Sequence, residues 1–166
     1  MTAAPLTAAS VDTAASDAAQ PFIVRPSGSV LQADIEGLNL SQPLNAATVQ
    51  ALQTAWDAHL VLRFRGQQHL SVQEHIRFSS YFGPLDKRPQ AATQWHASTA
   101  ELPLEVAVIS NLKQEGKPIG ALGDGEAVWH ADMTYQPLPP KAALLLGREV
   151  PPQRWRYAFR QHVRRL

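Results

Sequence analysis

Apolar and polar positions alternate between residues 21 and 40. PFIVRPSG and SVLQADIEGLNL mix β-branched residues with polar ones and are bounded by Pro, Gly and Asn, which predicts two short strands. From Asn45 the period lengthens, because Val49, Leu52, Trp56 and Leu60 recur at spacings of three and four. They form one apolar stripe of a helix that should pack on a sheet, with Asn45 as its N-cap. LVLRF, residues 60 to 64, reads as a buried strand closed by Gly66. A second helix is predicted from Ser71, where Ser71 and Glu74 have the capping-box spacing and Ile76 and Phe78 follow. Tyr81, Phe82, Gly83 and Pro84 end it.

Further on, the pattern is fainter. Residues 85 to 103 show no period, and LEVAVIS, residues 104 to 110, reads as a strand. NLKQEGKPIGALGDGE has five glycine or proline positions and predicts a loop or hairpin connection. AVWHADMT (127 to 134) and KAALLLGREV (141 to 150) are each read as a strand. At the other end, residues 1 to 20 are rich in Ala, Thr and Ser, hold no aromatic residue, and are expected to be a disordered leader.

A length of 166 residues with 45% apolar composition fits one soluble domain. There is no cysteine, which excludes disulfides, iron–sulfur clusters and thiol nucleophiles, so any metal must be held by His, Asp or Glu. The net charge of +1 conceals a division: Gln153 to Leu166 carry five arginines and no acid, leaving ten basic against fourteen acidic residues before them. A mildly acidic body argues against a nucleic-acid partner. No apolar run approaches the ~20 residues that cross a bilayer, and the opening residues have no basic region before an apolar stretch. A cytoplasmic enzyme without a membrane partner is the expectation.

His130 and Asp132 stand two apart in a segment read as extended, so both should project from one face. Two histidines and one carboxylate on one face of iron(II) leave the opposite positions open for a chelating cosubstrate and oxygen. Alone, a His-x-Asp pair is a weak signal. Its setting, WHADMTYQPLPPKAALLLGREVPP at residues 129 to 152, resembles the iron-binding segment of the taurine dioxygenase (TauD/TfdA-like) family. LQADIEGLNLSQPL, LVLRFRGQ and FSSYFGPL are similar to that family's N-terminal elements in order and spacing. The resemblance covers roughly residues 22 to 152.

The resemblance implies an α+β fold, a jelly-roll-like (clavaminate synthase-like) double-stranded β-helix with flanking helices, present here as roughly its first half over residues 21 to 152. It also implies an oxidoreductase that uses Fe(II), 2-oxoglutarate and O2 on a small organic acid, sulfonate or amine, with homo-oligomers left open. His130 and Asp132 would be the metal ligands, with Trp129 and Thr134 supporting them. Arg88, Ala91 and Glu126 stand where the taurine enzyme has histidine, tyrosine and asparagine contacts, and Met133 adjoins the ligands. Arg88, Glu126 and Met133 are therefore the candidate substrate-binding residues. A Glu126 carboxylate would repel a sulfonate, which argues against taurine itself. The family's second histidine, the arginine that pairs with 2-oxoglutarate, and the threonine of a Gly-Gly-Asp-Thr stretch have no counterpart here. His162 is too close to serve.

Family members continue after the second Pro-Pro with a segment like SGGDTLFANMYAAYE. A nucleotide string that encodes Gln153 to Leu166 and then a stop codon reads, one nucleotide later, as SGGDTLFANMYAAY. Residues 153 to 166 are thus expected to be an out-of-frame tail, from an insertion near the Pro151 and Pro152 codons. On that reading the chain would be catalytically silent as written. A non-catalytic binding or regulatory remnant is the alternative, and a hydrolase using His130 and Asp132 is a second. His59, His69 and His75 are read as surface or packing residues, and Arg63 and Arg65 as a solvated face.

Overall fold

The structure is a computed structural model, and it describes residues 21–88, 101–122, 128–150 and 158–160. The expected leader and most of the tail lie outside these residues, as do Ala91, Glu126 and His162.

The first sheet has strand order β1-β2-β3, with β1 at Ile23–Pro26, β2 at Ala33–Glu36 and β3 at Leu62–Phe64. β1 and β2 are antiparallel, with Val24 opposite Ile35. β2 and β3 are parallel, with Ala33 opposite Leu62 and Ile35 opposite Phe64. Helix α1, Ala46–His59, makes the crossover that a parallel pair requires. Strand alternation gathers Val24, Ala33, Ile35, Leu62 and Phe64 on one face and Arg25, Asp34, Glu36 and Arg63 on the other.

Asn45 caps α1 as expected, its side-chain oxygen accepting from the Thr48 N–H at 2.8 Å. The buried stripe differs from the expected one. It comprises Thr48, Leu52 and Ala55, while Leu60 is 46% exposed. Leu60 is the left-handed C-cap (φ 62), which turns its side chain out of the helical register. Helix α2, Val72–Ser80, carries the expected capping box: Glu74 N–H donates to Ser71 Oγ at 3.2 Å and Ser71 N–H to Glu74 Oε2 at 2.7 Å.

Phe22, Ile35, Leu40, Leu52, Leu70 and Phe78 form the buried core. Polar staples hold residues 38–44 against it. Gln67 accepts from Leu40 N–H and donates to the Leu38 carbonyl, Arg77 donates to the Leu40 and Ser41 carbonyls, and Tyr81 OH accepts from Leu44 N–H.

On the polar face Asp34 sits 2.6 Å from Arg63 and 3.4 Å from Arg65. The expected solvated arginines are thus paired. The Arg63 hydrogen bond, with Arg65 adding to it, holds the Asp34 carboxyl down at about 2 from an ordinary 3.8. A lowered pKa means the unfolded chain takes up the proton first, so this stabilisation is present above pH 3.8 and is lost as pH falls toward about 2. Asp34→Asn is expected to cost about 1 kcal/mol at neutral pH, after solvent screening. It should also flatten that window of an acid-unfolding curve; a curve of unchanged shape would show that the cluster contributes nothing.

The expected strand at 104–110 is reduced to β4, Ile109–Ser110, which pairs in parallel with β7, Ala121–Leu122. Between them, β5 (Lys113–Gln114) and β6 (Lys117–Pro118) make the expected hairpin. Its two-residue turn places Glu115 and Gly116 at φ 52 and 77, the primed geometry that suits strand twist. A Cβ on Gly120 would lie 2.6 Å from Ser110 N and 2.9 Å from the Val108 carbonyl. Gly120→Ala is therefore expected to cost about 1–3 kcal/mol and to abolish the β4–β7 pairing, read as lost amide protection at 109–110. Retained protection would count against the close approach.

The strand expected at 127–134 is not formed: within its described part, residues 132–135 make a turn. Met133 adopts φ 53, which ends any extended run. The strand expected at 141–150 is likewise absent. Leu144 and Leu146 are half-buried against the core, with Leu145 exposed between them. That is the alternation of a strand with no ladder partner among the described residues.

Candidate metal centre

His130 and Asp132 do meet, through a turn instead of a strand. His130 Nδ1 lies 2.8 Å from the Val128 carbonyl and Nε2 lies 3.3 Å from Asp132 Oδ1. A carbonyl can only accept, so Nδ1 carries a proton and donates it to Val128, which turns Nε2 toward the carboxylate. The 3.3 Å approach of Nε2 to Oδ1 is satisfied either by a proton on Nε2 or by a cation bound to both atoms. Two donors each about 2.1 Å from one metal, at a right angle, stand about 3.0 Å apart. The pair fits two adjacent coordination positions, and the Val128 carbonyl fixes the ring as outer partners of metal-bound histidines do. Both side chains are more than half exposed, at 66% and 57%. Among the described residues no third His, Asp or Glu joins them.

Asp132 lines a cavity of about 310 Å3 with Thr134, whose other wall is Pro139 to Ala143. Trp129 is 67% exposed and, with His130, borders a second concavity completed by Phe159 and Arg160. Met133 adjoins Asp132, and its carbonyl accepts from the Gln136 N–H at 2.9 Å. The Arg88 guanidinium donates to the Leu102 carbonyl at 3.0 Å and its N–H to the Leu104 carbonyl at 2.8 Å. Glu126, the other expected substrate contact, lies outside the described residues.

Lys141, which sequence reasoning passed over, borders the Asp132 cavity and sets its ammonium 4.8 Å from the centroid of the Trp56 ring. This cation–π contact joins the segment after the Pro-Pro pair to α1. The apolar spacing along α1 signals only that Trp56 is available, and nothing local pairs it with Lys141.

Residues 24–154 match the model of the family described as taurine catabolism dioxygenase TauD, TfdA family. An alpha-ketoglutarate-dependent sulfate ester dioxygenase of Pseudomonas putida is 33% identical over 77% of this chain and 38% of its own length. An (S)-phenoxypropionate/alpha-ketoglutarate-dioxygenase of Delftia acidovorans is 30% identical over 77% of this chain and 42% of its own. The chain thus spans well under half the length of these curated relatives. A crystal structure of a taurine dioxygenase from Burkholderia xenovorans is 26% identical, with a TM-score of 0.42 over 50% of this chain and 28% of that one.

Proposed function

The chain belongs to the taurine catabolism dioxygenase TauD, TfdA family, and on that premise we propose that His130 and Asp132 are two ligands of an Fe(II) site in a 2-oxoglutarate-dependent dioxygenase. The observation that carries this is the 3.3 Å approach of a carbonyl-oriented imidazole nitrogen to a carboxylate oxygen. When bound, the iron supplies oxidising chemistry with 2-oxoglutarate and O2 as co-reactants. The chain's own part is to present Nε2 and Oδ1 together, to hold the imidazole through Val128, and to place Asp132 beside a cavity walled by Pro139 to Ala143.

We read the parent fold as a double-stranded β-helix, of which this chain supplies the first strands and the helices that cover them. The substrate on this reading is a small organic acid, sulfonate or amine, and the relatives' names give a sulfate ester and a phenoxypropionate. Arg88, Glu126 and Met133 stay as its candidate contacts, and the cytoplasm as its compartment. Residues 153–166 are an out-of-frame tail on this reading, whose in-frame continuation supplies the third ligand and the 2-oxoglutarate contacts.

The test is to resequence the gene through the Pro151 and Pro152 codons, express the continuous frame, and measure succinate released from 2-oxoglutarate with Fe(II) under air. Release that His130→Ala abolishes is the expected result. Turnover independent of 2-oxoglutarate, or cosubstrate binding with no turnover in any substrate panel, would replace the reading with the hydrolase or the binding remnant.

A further inference from the structure

The wall of the Asp132 cavity at Pro139 to Ala143 is thinly held. Among the described residues no hydrogen bond or ion pair reaches residues 137–143, and Leu138 is 88% exposed. After the wall, Leu144 and Leu146 pack on the core and Arg148 Nη1 donates to the Gln68 carbonyl at 3.0 Å. Before it, the Gln136 N–H donates to the Met133 carbonyl. Between these anchorages the Lys141 ammonium reaches α1, 4.8 Å from the centroid of the Trp56 ring.

That ring is itself fixed from two sides. Trp56 Nε1 donates to the Leu60 carbonyl at 3.0 Å, and the ring meets Phe82 edge-to-face at a centroid distance of 5.7 Å and an angle of 90°. Its orientation is therefore set without Lys141, and it offers the ammonium a prepared face. Among the described residues no carboxylate lies within ion-pair distance of Lys141, which leaves the indole as its partner.

We propose that Lys141 is a positioning residue that sets substrate size: held on Trp56, it pins the Pro139 to Ala143 wall to α1 and fixes the width of the space beside Asp132, so that short organic acids are admitted and longer ones refused. The inference rests on the reading of Asp132 as a metal ligand and deepens it. A cavity of about 310 Å3 stands at the lower end of small-ligand sites. Apart from Lys141 its wall is built from Pro139, Pro140, Ala142 and Ala143, side chains with no rotamer freedom to make room for a larger guest. The width changes only if the backbone of the wall moves, and Lys141 is the wall residue whose side chain ties that backbone to a helix. At an exposed site a cation over an indole shifts an equilibrium about two- to fivefold.

Two measurements test this. The chain has four lysines, and NMR of their ε-methylene groups in the 166-residue protein is expected to show one displaced upfield by an indole ring current and returned to the others in Trp56→Leu. Four signals alike, or a displaced one that Trp56→Leu leaves in place, would overturn the anchor without bearing on iron. In the protein expressed through the restored frame, succinate release with Fe(II), 2-oxoglutarate and air is followed against straight-chain carboxylates and sulfonates of increasing length. Lys141→Met is expected to raise KM about two- to fivefold for the shortest acid the parent accepts, with kcat far less affected, and to admit acids beyond the parent's limit. Lys141→Arg, which keeps a cation for the ring, should retain the parent's profile. An unchanged profile in Lys141→Met overturns the size-setting role alone, and so does an equal loss at every length in both variants. A parent with no succinate release on any acid overturns the dioxygenase reading and the size-setting role together, while the lysine signal still reports the contact.

Discussion

Phe78→Ala is expected to remove about 3–5 kcal/mol of stability, the range for emptying a large aromatic from a packed core. Phe78 is 4% exposed, and its ring meets Phe64, Phe82 and Tyr81 edge-on, at centroid distances of 5.2, 5.4 and 6.4 Å. Those three partners come from β3 and from the end of α2, so one side chain ties the helix to the sheet. Edge-to-face pairs add about 0.5–1.5 kcal/mol each beyond buried area. Natural domains hold only about 5–15 kcal/mol in reserve, so the variant should lose most of its folded population at moderate denaturant. Chemical denaturation followed by tryptophan fluorescence measures this directly. A midpoint within about 1 kcal/mol of the unsubstituted protein would mean that the aromatic cluster is not the centre of the core.

The second large effect falls on metal affinity. In the protein expressed through the restored frame, His130→Ala and Asp132→Ala are each expected to weaken Mn(II) binding more than about 100-fold, since altering only an outer partner of a ligand already costs 10–100-fold. Stability should change little, because both side chains are more than half exposed. Isothermal titration with Mn(II), alongside thermal unfolding, separates the two readouts. If either variant binds Mn(II) as the parent does, that residue is not a ligand. If both lose binding and stability together, they serve the fold.

Local signals carried most of what the sequence made legible. Asn45, Ser71 and Glu74 marked helix starts because a capping side chain reaches only three residues along the chain. The alternation at 21–36 marked β1 and β2 for the same reason. The strand expected at 141–150 failed where the deciding factor was a neighbour, because a ladder needs a partner and periodicity does not supply one, while the one expected at 127–134 is broken by its own turn. The spacing of His130 and Asp132 made their approach legible, yet the device that joins them is a turn with Met133 at positive φ, which a methionine does not advertise. Contacts that span the chain were invisible. Arg148 reaches a carbonyl 80 residues away, and the pairing of Asp34 with Arg63 emerges only once β2 and β3 are in register.

Among the described residues, every buried member of the core cluster lies between Phe22 and Phe78, well ahead of His130 in the chain. During synthesis, at about 5–20 residues per second, the stretch from Phe78 to Asp132 takes roughly 3–11 s to emerge. Helices and hairpins form in microseconds, so the sheet and its two helices can be assembled on the ribosome while residues 130–132 are still untranslated. Leu144 and Leu146 then arrive at a surface already in place, so the segment that carries His130 and Asp132 meets a finished platform.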